Sequence, residues 1–122
     1  MPNPYLQKLF RAFPCKERHF HCCGEITAHM EAISQLDLTH YALMGEMVDI
    51  REAAKAFDGT SISQLFDFRL LRDGSPEQII LRTKEMMERA DLVDNYCIAV
   101  EGQQGVPLEK ARLVRDAVLE RR

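Results

Sequence analysis

The chain has 122 residues, a formal net charge of −3 and four irregularly spaced cysteines. This length predicts one domain spanning residues 1–122, well short of a complete (β/α)8 barrel of about 250 residues. The net charge of −3 with mixed signs disfavours nucleic-acid binding, which requires a basic surface. No apolar run approaches the roughly 20 residues of a membrane span, and the N-terminus carries no signal-peptide pattern. We therefore expect a cytoplasmic protein with reduced thiols and with neither nucleic-acid nor membrane partners.

Helix-like and strand-like segments alternate along the chain, which is typical of βα units on a parallel sheet. Pro4 opens a leading helix that ends at Pro14. A first strand is predicted over 18–23 and a second over 40–44. Between them, a helix over about 27–36 places four apolar residues on one side: Ile26, Met30, Ile33 and Leu36.

The next unit is defined by helix-start and helix-stop residues. Asp49 with Glu52 three residues later predicts a capping box, and the helix extends to about Phe57. Gly59 ends it. A short, polar third strand is then expected over 61–66.

The last two helices also have clear starts. Ser75, followed by Pro76 and by Gln78 at the reciprocal capping position, predicts a helix to about Ala90. The apolar run over 96–100 predicts a buried parallel strand. Pro107 begins the final helix, whose expected inward residues are Leu108, Ala111, Val114 and Val118.

The elements add up to a leading helix and four βα units, so the predicted fold class is α/β, half of a (β/α)8 TIM barrel. In parallel α/β folds, catalytic and ligand-binding residues lie at the carboxyl ends of the strands. Here those ends carry His21, Cys22 and Cys23, then Met44 to Glu46, Gln64 to Asp67, and Glu101. Because the first and last strands would be open edges, we expect a homo-oligomer or a separate partner to cover them.

His21 and Cys23 are the strongest candidate functional residues. Strand side chains repeat every second residue, so both point to the same side of a strand end. Imidazole and thiolate together favour zinc. The alternative is that the cysteine packs in the core as a small hydrophobic residue, since two ligands do not complete a zinc site.

The order of motifs resembles the C-terminal half of the uroporphyrinogen decarboxylase superfamily, especially its methyltransferase branch. Several segments carry this resemblance. His21-Cys22-Cys23-Gly24 resembles an H-x-C-G motif, and Pro4-Tyr5-Leu6 with Phe10 to Pro14 resembles the helix that precedes it in the family. Leu70 to Ile79 resembles an L-L-R-x-G-[ST]-P-E-E-[IV] segment, and Pro107-Leu108-Glu109 resembles the start of the family's final helix. The segment from Gly45 to Ala53 also resembles a strand-to-helix connection of that family.

The resemblance implies zinc held by a histidine and a cysteine of H-x-C, matching His21 and Cys23, and by a later cysteine. That later position falls near Gly102 in this sequence, which has no cysteine there. The candidates for the third ligand are Glu101 and Cys22, and the alternative for Glu101 is a solvated acid at a strand end. Zinc would activate a substrate thiol for methyl transfer from methylcobalamin or a corrinoid protein.

Two functions follow as expectations. In the first, the chain is a zinc-dependent corrinoid and thiol methyl-transfer domain that a second copy or a separate N-terminal half-barrel partner completes. In the second, it is a non-catalytic interaction or regulatory subunit. Asp67 and Arg69, in a predicted loop, either contact an anionic substrate or form a surface ion pair.

Overall fold

The structure, a computed structural model, describes residues 4–43, 47–102 and 105–121. Eleven elements follow one another along these ranges: α1 (Pro4–Ala12), β1 (His19–Cys22), a 3-10 turn (Thr27–His29), α2 (Met30–Ser34), β2 (His40–Leu43), α3 (Ile50–Ala56), β3 (Ser61–Leu65), α4 (Phe68–Asp73), α5 (Pro76–Arg89), β4 (Tyr96–Ala99) and α6 (Leu108–Glu120). None of the helices in these ranges combines the length and the apolarity that crossing a membrane requires.

The four strands form one parallel sheet in the order β1-β2-β3-β4. Along one row of the sheet, His21 pairs with Ala42, Ala42 with Ser63 and Ser63 with Cys97. Each strand lies within one or two residues of its predicted position. The carboxyl ends of β1 and β3 therefore lie at the same edge of the sheet as that of β4.

The helices bury one face of this sheet through two apolar clusters. The first joins α2 and α3 to Ile62 of β3, with Phe20 and Cys22 of β1 packed against it. The second joins α4, α5 and α6 to Phe66, with Ile98 of β4 packed against it. Ile62 and Phe66 are four residues apart and share a face, so both clusters lie on the same side of the sheet.

Two predicted helix starts are confirmed, although the capping box predicted at Asp49 is only half formed, because the Glu52 carboxylate accepts from Lys55 Nζ instead. The Asp49 carboxylate accepts hydrogen bonds from the backbone N–H groups of Arg51 and Glu52, at 2.9 and 3.1 Å. Ser75 and Gln78 form the reciprocal capping box that begins α5. These caps satisfy N–H groups that have no partner inside the helix, which is why the local sequence alone fixes where each helix begins.

The predicted half of a (β/α)8 barrel is wrong, and the fold is a small open α/β domain. Four copies of one βα unit are not present, because the connections differ. The β1–β2 connection holds a 3-10 turn and a helix of 5 residues, whereas the β3–β4 connection holds helices of 6 and 14 residues. The strands are only 4 or 5 residues long.

Several local predictions are corrected as well. The helix predicted over 27–36 is a 3-10 turn followed by the short α2, although its four predicted apolar residues are buried. The predicted inward residue Leu108 is 60% exposed, because it lies in the first turn of α6. Cys97, expected in a buried strand, is exposed. It lies on an edge strand and on the face opposite Ile98, which packs under the helices.

Candidate functional site

The site is centred on the carboxyl end of β1, where His21 and Cys23 meet. His21 Nε2 lies 2.9 Å from Cys23 Sγ. Both residues are exposed, so the alternative of core packing is wrong for this pair. The strand alternation that predicted a shared side has therefore brought the two donor atoms into direct contact.

Cys22 points the other way. Its side chain packs against the first apolar cluster on the helix side of the sheet, as Phe20 does two residues earlier. A metal held by His21 and Cys23 would lie on the opposite side, so Cys22 is not placed to join them. The core-packing interpretation that the sequence left open applies to Cys22 alone.

The donor atoms of the pair fit two zinc ligands in chemistry and in distance. Imidazole nitrogen and thiolate sulfur on a tetrahedral zinc are separated by about 3.5 Å, given metal bonds of about 2.0 and 2.3 Å. The observed 2.9 Å separation reaches that value if the exposed Cys23 side chain moves by less than an ångström. The pair therefore has the geometry of two ligands and needs a third.

Cys23 also lines a cleft of about 440 Å³ between the carboxyl ends of β1 and β3 and the start of α4. Glu101, which follows β4, lines the same cleft. Within the part of the chain that the structure describes, no three His, Cys, Asp or Glu side chains lie close enough together to hold a metal ion. Glu101 thus shares the cleft with Cys23 without completing a ligand cluster, and its role as third ligand stays a prediction.

The far wall of the cleft contains a helix that the sequence analysis missed. Asp67 and Arg69 were predicted in a loop, but Asp67 is the N-cap of α4 and its carboxylate accepts from the backbone N–H of Arg69 at 2.8 Å. Arg69 lines the cleft with Phe66 and Phe68. An aspartate directly before an apolar run was the available signal.

Comparisons with protein-family models, with curated proteins and with solved structures give no match to this chain. The predicted strand-end positions from Met44 to Glu46, and the start of the Gly45–Ala53 segment, lie outside the described residues.

Proposed function

We propose that this chain is a cytoplasmic, zinc-dependent domain for methyl transfer to a thiol, related to the methyltransferase branch of the uroporphyrinogen decarboxylase superfamily. The observation that carries the proposal is the 2.9 Å contact between His21 Nε2 and Cys23 Sγ at an exposed strand end. The motif resemblance supplies the reaction class, and the donor pair supplies a place for the metal.

Each residue of the site has a distinct part in this proposal. His21 and Cys23 would hold zinc, and Glu101, across the shared cleft, would be the third protein ligand. Bound zinc would keep a substrate thiol deprotonated near neutral pH, where a free thiol with a pKa of about 8.5 is mostly protonated. Arg69 would lie beside an anionic part of the substrate, and the methyl donor would be methylcobalamin or a corrinoid protein.

The proposal is tested by metal analysis of protein purified without chelator. We expect about one zinc per chain. Cys23→Ser and His21→Ala should each lose most of that zinc, because each removes one of the few donors. Cys15→Ser and His19→Ala are the matched controls, since these residues are also exposed and take no part in the contact between His21 and Cys23. They should retain the metal.

Two further results complete this test. Glu101→Ala should weaken zinc affinity about tenfold or more if its carboxylate is the third ligand. Methyl transfer from methylcobalamin to a thiol, assayed with the zinc-loaded protein, should disappear in Cys23→Ser. A wild-type protein that contains no zinc and takes up none on titration would show that the proposal is wrong.

A second copy of the chain is the partner that we propose. β1 and β4 are the edges of the described sheet, and a strand edge presents backbone N–H and C=O groups to another chain. We therefore expect light scattering at micromolar concentration to give the mass of a dimer. A monomer mass under those conditions would exclude self-association as the way in which the edges are covered.

The other candidate function is a non-catalytic interaction or regulatory subunit. The observation in its favour is that, among the described residues, His21 and Cys23 are not joined by a third metal-ligating side chain. This function predicts a stable fold without zinc and no methyl transfer. Zinc uptake that depends on Cys23 distinguishes the two candidates.

A further inference from the structure

A second cavity lies on the helix side of the sheet; it shares Met47 with the cleft described above but is lined by neither His21 nor Cys23. Its volume is about 380 Å³, and it is formed between the start of α3, the middle and end of α5, and Gln64 of β3. Val48 and Ile50 in its wall belong to the first apolar cluster, and Met86 belongs to the second. The cavity therefore marks the gap where the two clusters meet.

Three arginines line this gap: Arg51, Arg82 and Arg89. On α5, the spacing of seven residues between Arg82 and Arg89 places both on one face of the helix, with Met86 between them. Arg51 is in the first turn of α3. Its Nε donates a hydrogen bond to the backbone oxygen of Arg89 at 3.1 Å, which ties the two helices together and leaves its terminal nitrogens available to a ligand.

The cavity has a positive lining. Among the described residues that form it, Arg51 and Arg89 face a single acidic residue, Asp49, whereas the charge of the third arginine, Arg82, is paired with Glu85. One oxygen of that carboxylate already caps α3 by accepting from two backbone N–H groups. The Arg82 side chain is only 16% exposed and donates to Glu85 at 3.1 Å, so one guanidinium is held largely out of water at this site. Such a cluster favours an anion, because desolvated positive charges repel one another less when a negative group lies between them.

Buried polar groups continue from the cavity into the sheet. Gln64 is 5% exposed, and its Oε1 accepts a hydrogen bond of 2.7 Å from the Tyr96 hydroxyl. Burial raises the pKa of Tyr96 above its ordinary value, and the nearby Arg82 acts in the opposite direction. Tyr96 therefore remains a neutral hydrogen-bond donor near pH 7, which holds Gln64 in a fixed orientation at the cavity wall.

We propose that this cavity binds the phosphoryl group of a small organic phosphate through Arg51 and Arg89. A phosphate monoester carries about −1.5 to −2 charges near pH 7 and three acceptor oxygens, which two guanidinium groups can share. A single carboxylate offers only one charge and two oxygens. Planar guanidinium groups bind phosphate oxygens in pairs, and a volume near 380 Å³ also leaves room for the organic part of such a molecule.

The test measures binding of glycerol phosphate by calorimetry and by thermal stabilisation of the full chain. The wild type should bind it saturably, and Arg51→Gln and Arg89→Gln should each weaken binding about tenfold or more, because each removes charge-assisted hydrogen bonds. These two positions are preferred over the largely buried Arg82. Arg112→Gln, at an exposed position on α6 outside the cavity, is the control and should bind as the wild type does.

Binding of other anions then shows which class of ligand the cavity prefers. Inorganic phosphate that binds as tightly as glycerol phosphate would make free phosphate the source of the phosphoryl group, whereas weaker binding supports an organic phosphate. Citrate that binds more tightly than either phosphate would overturn the phosphoryl assignment. The proposal also fails if the wild type does not bind glycerol phosphate, or if Arg112→Gln weakens binding as much as the two cavity variants. Cys23→Ser should not affect this binding, which separates it from the zinc proposal.

Discussion

Ile79→Ala is expected to destabilise the domain by about 3 to 4 kcal/mol, as large-to-small changes at fully buried sites do. Ile79 has no exposed surface and lies at the centre of the second apolar cluster, with Phe66, Leu71, Met86 and Val114. Truncation would remove apolar contacts and leave a cavity between α5 and the sheet. Denaturant unfolding followed by circular dichroism measures the loss in free energy of unfolding.

Leu81→Ala is the matched control, because it removes a similar apolar side chain from the same helix at a position that is 60% exposed. Its effect should stay within about 0.5 kcal/mol. If the two variants lose similar stability, the second cluster is not the core of the domain, and the packing of α5 described above is wrong.

The second large effect is expected for Gly74→Ala, at the junction of α4 and α5. A Cβ atom at this position would overlap the backbone oxygen of Leu70 and would lie 2.8 Å from its Cδ1. The Gly74 N–H also donates to that same oxygen at 2.7 Å, so the backbone cannot move away without losing this hydrogen bond. We expect a loss of about 2 to 3 kcal/mol in free energy of unfolding, typical of overpacking.

Gly102→Ala provides the comparison, since nothing lies within 4 Å of a Cβ built there. This variant should unfold within about 0.5 kcal/mol of the wild type. Unfolding of the two glycine variants in parallel distinguishes a local steric requirement from a general effect of replacing glycine. Equal losses in the two variants would contradict the close approach at Gly74.

Much of the site's assembly was accessible from the sequence, because it depends on strand geometry over three residues. The period of two in a strand predicted that His21 and Cys23 share a side, and the 2.9 Å contact agrees. The same alternation does not predict which face of the sheet the helices cover. Only packing shows that Cys22 is the residue under the helices and that its two neighbours are exposed.

Neither the third zinc ligand nor the arginine-lined cavity could be predicted from the sequence, because both depend on residues that are distant in the chain. Glu101 and Cys23 are far apart in the chain, and whether they come within reach of one metal depends on the relative placement of β1 and β4. Arg51 and Arg89 lie on different helices, so their contact also depends on tertiary packing. Long-range distances of this kind have no local sequence signal.

The sequence by itself determined where the helices begin and where the strands lie, because caps and apolar runs act within a few residues of each boundary. Ser75 and Asp49 cap their helices as expected, and the strand over 61–66 is observed at Ser61–Leu65. Only the tertiary structure decided how those elements combine. The unequal connections gave a small open sheet instead of half a barrel, and the edge position of β4 left Cys97 exposed, because burial depends on which neighbours each strand finds.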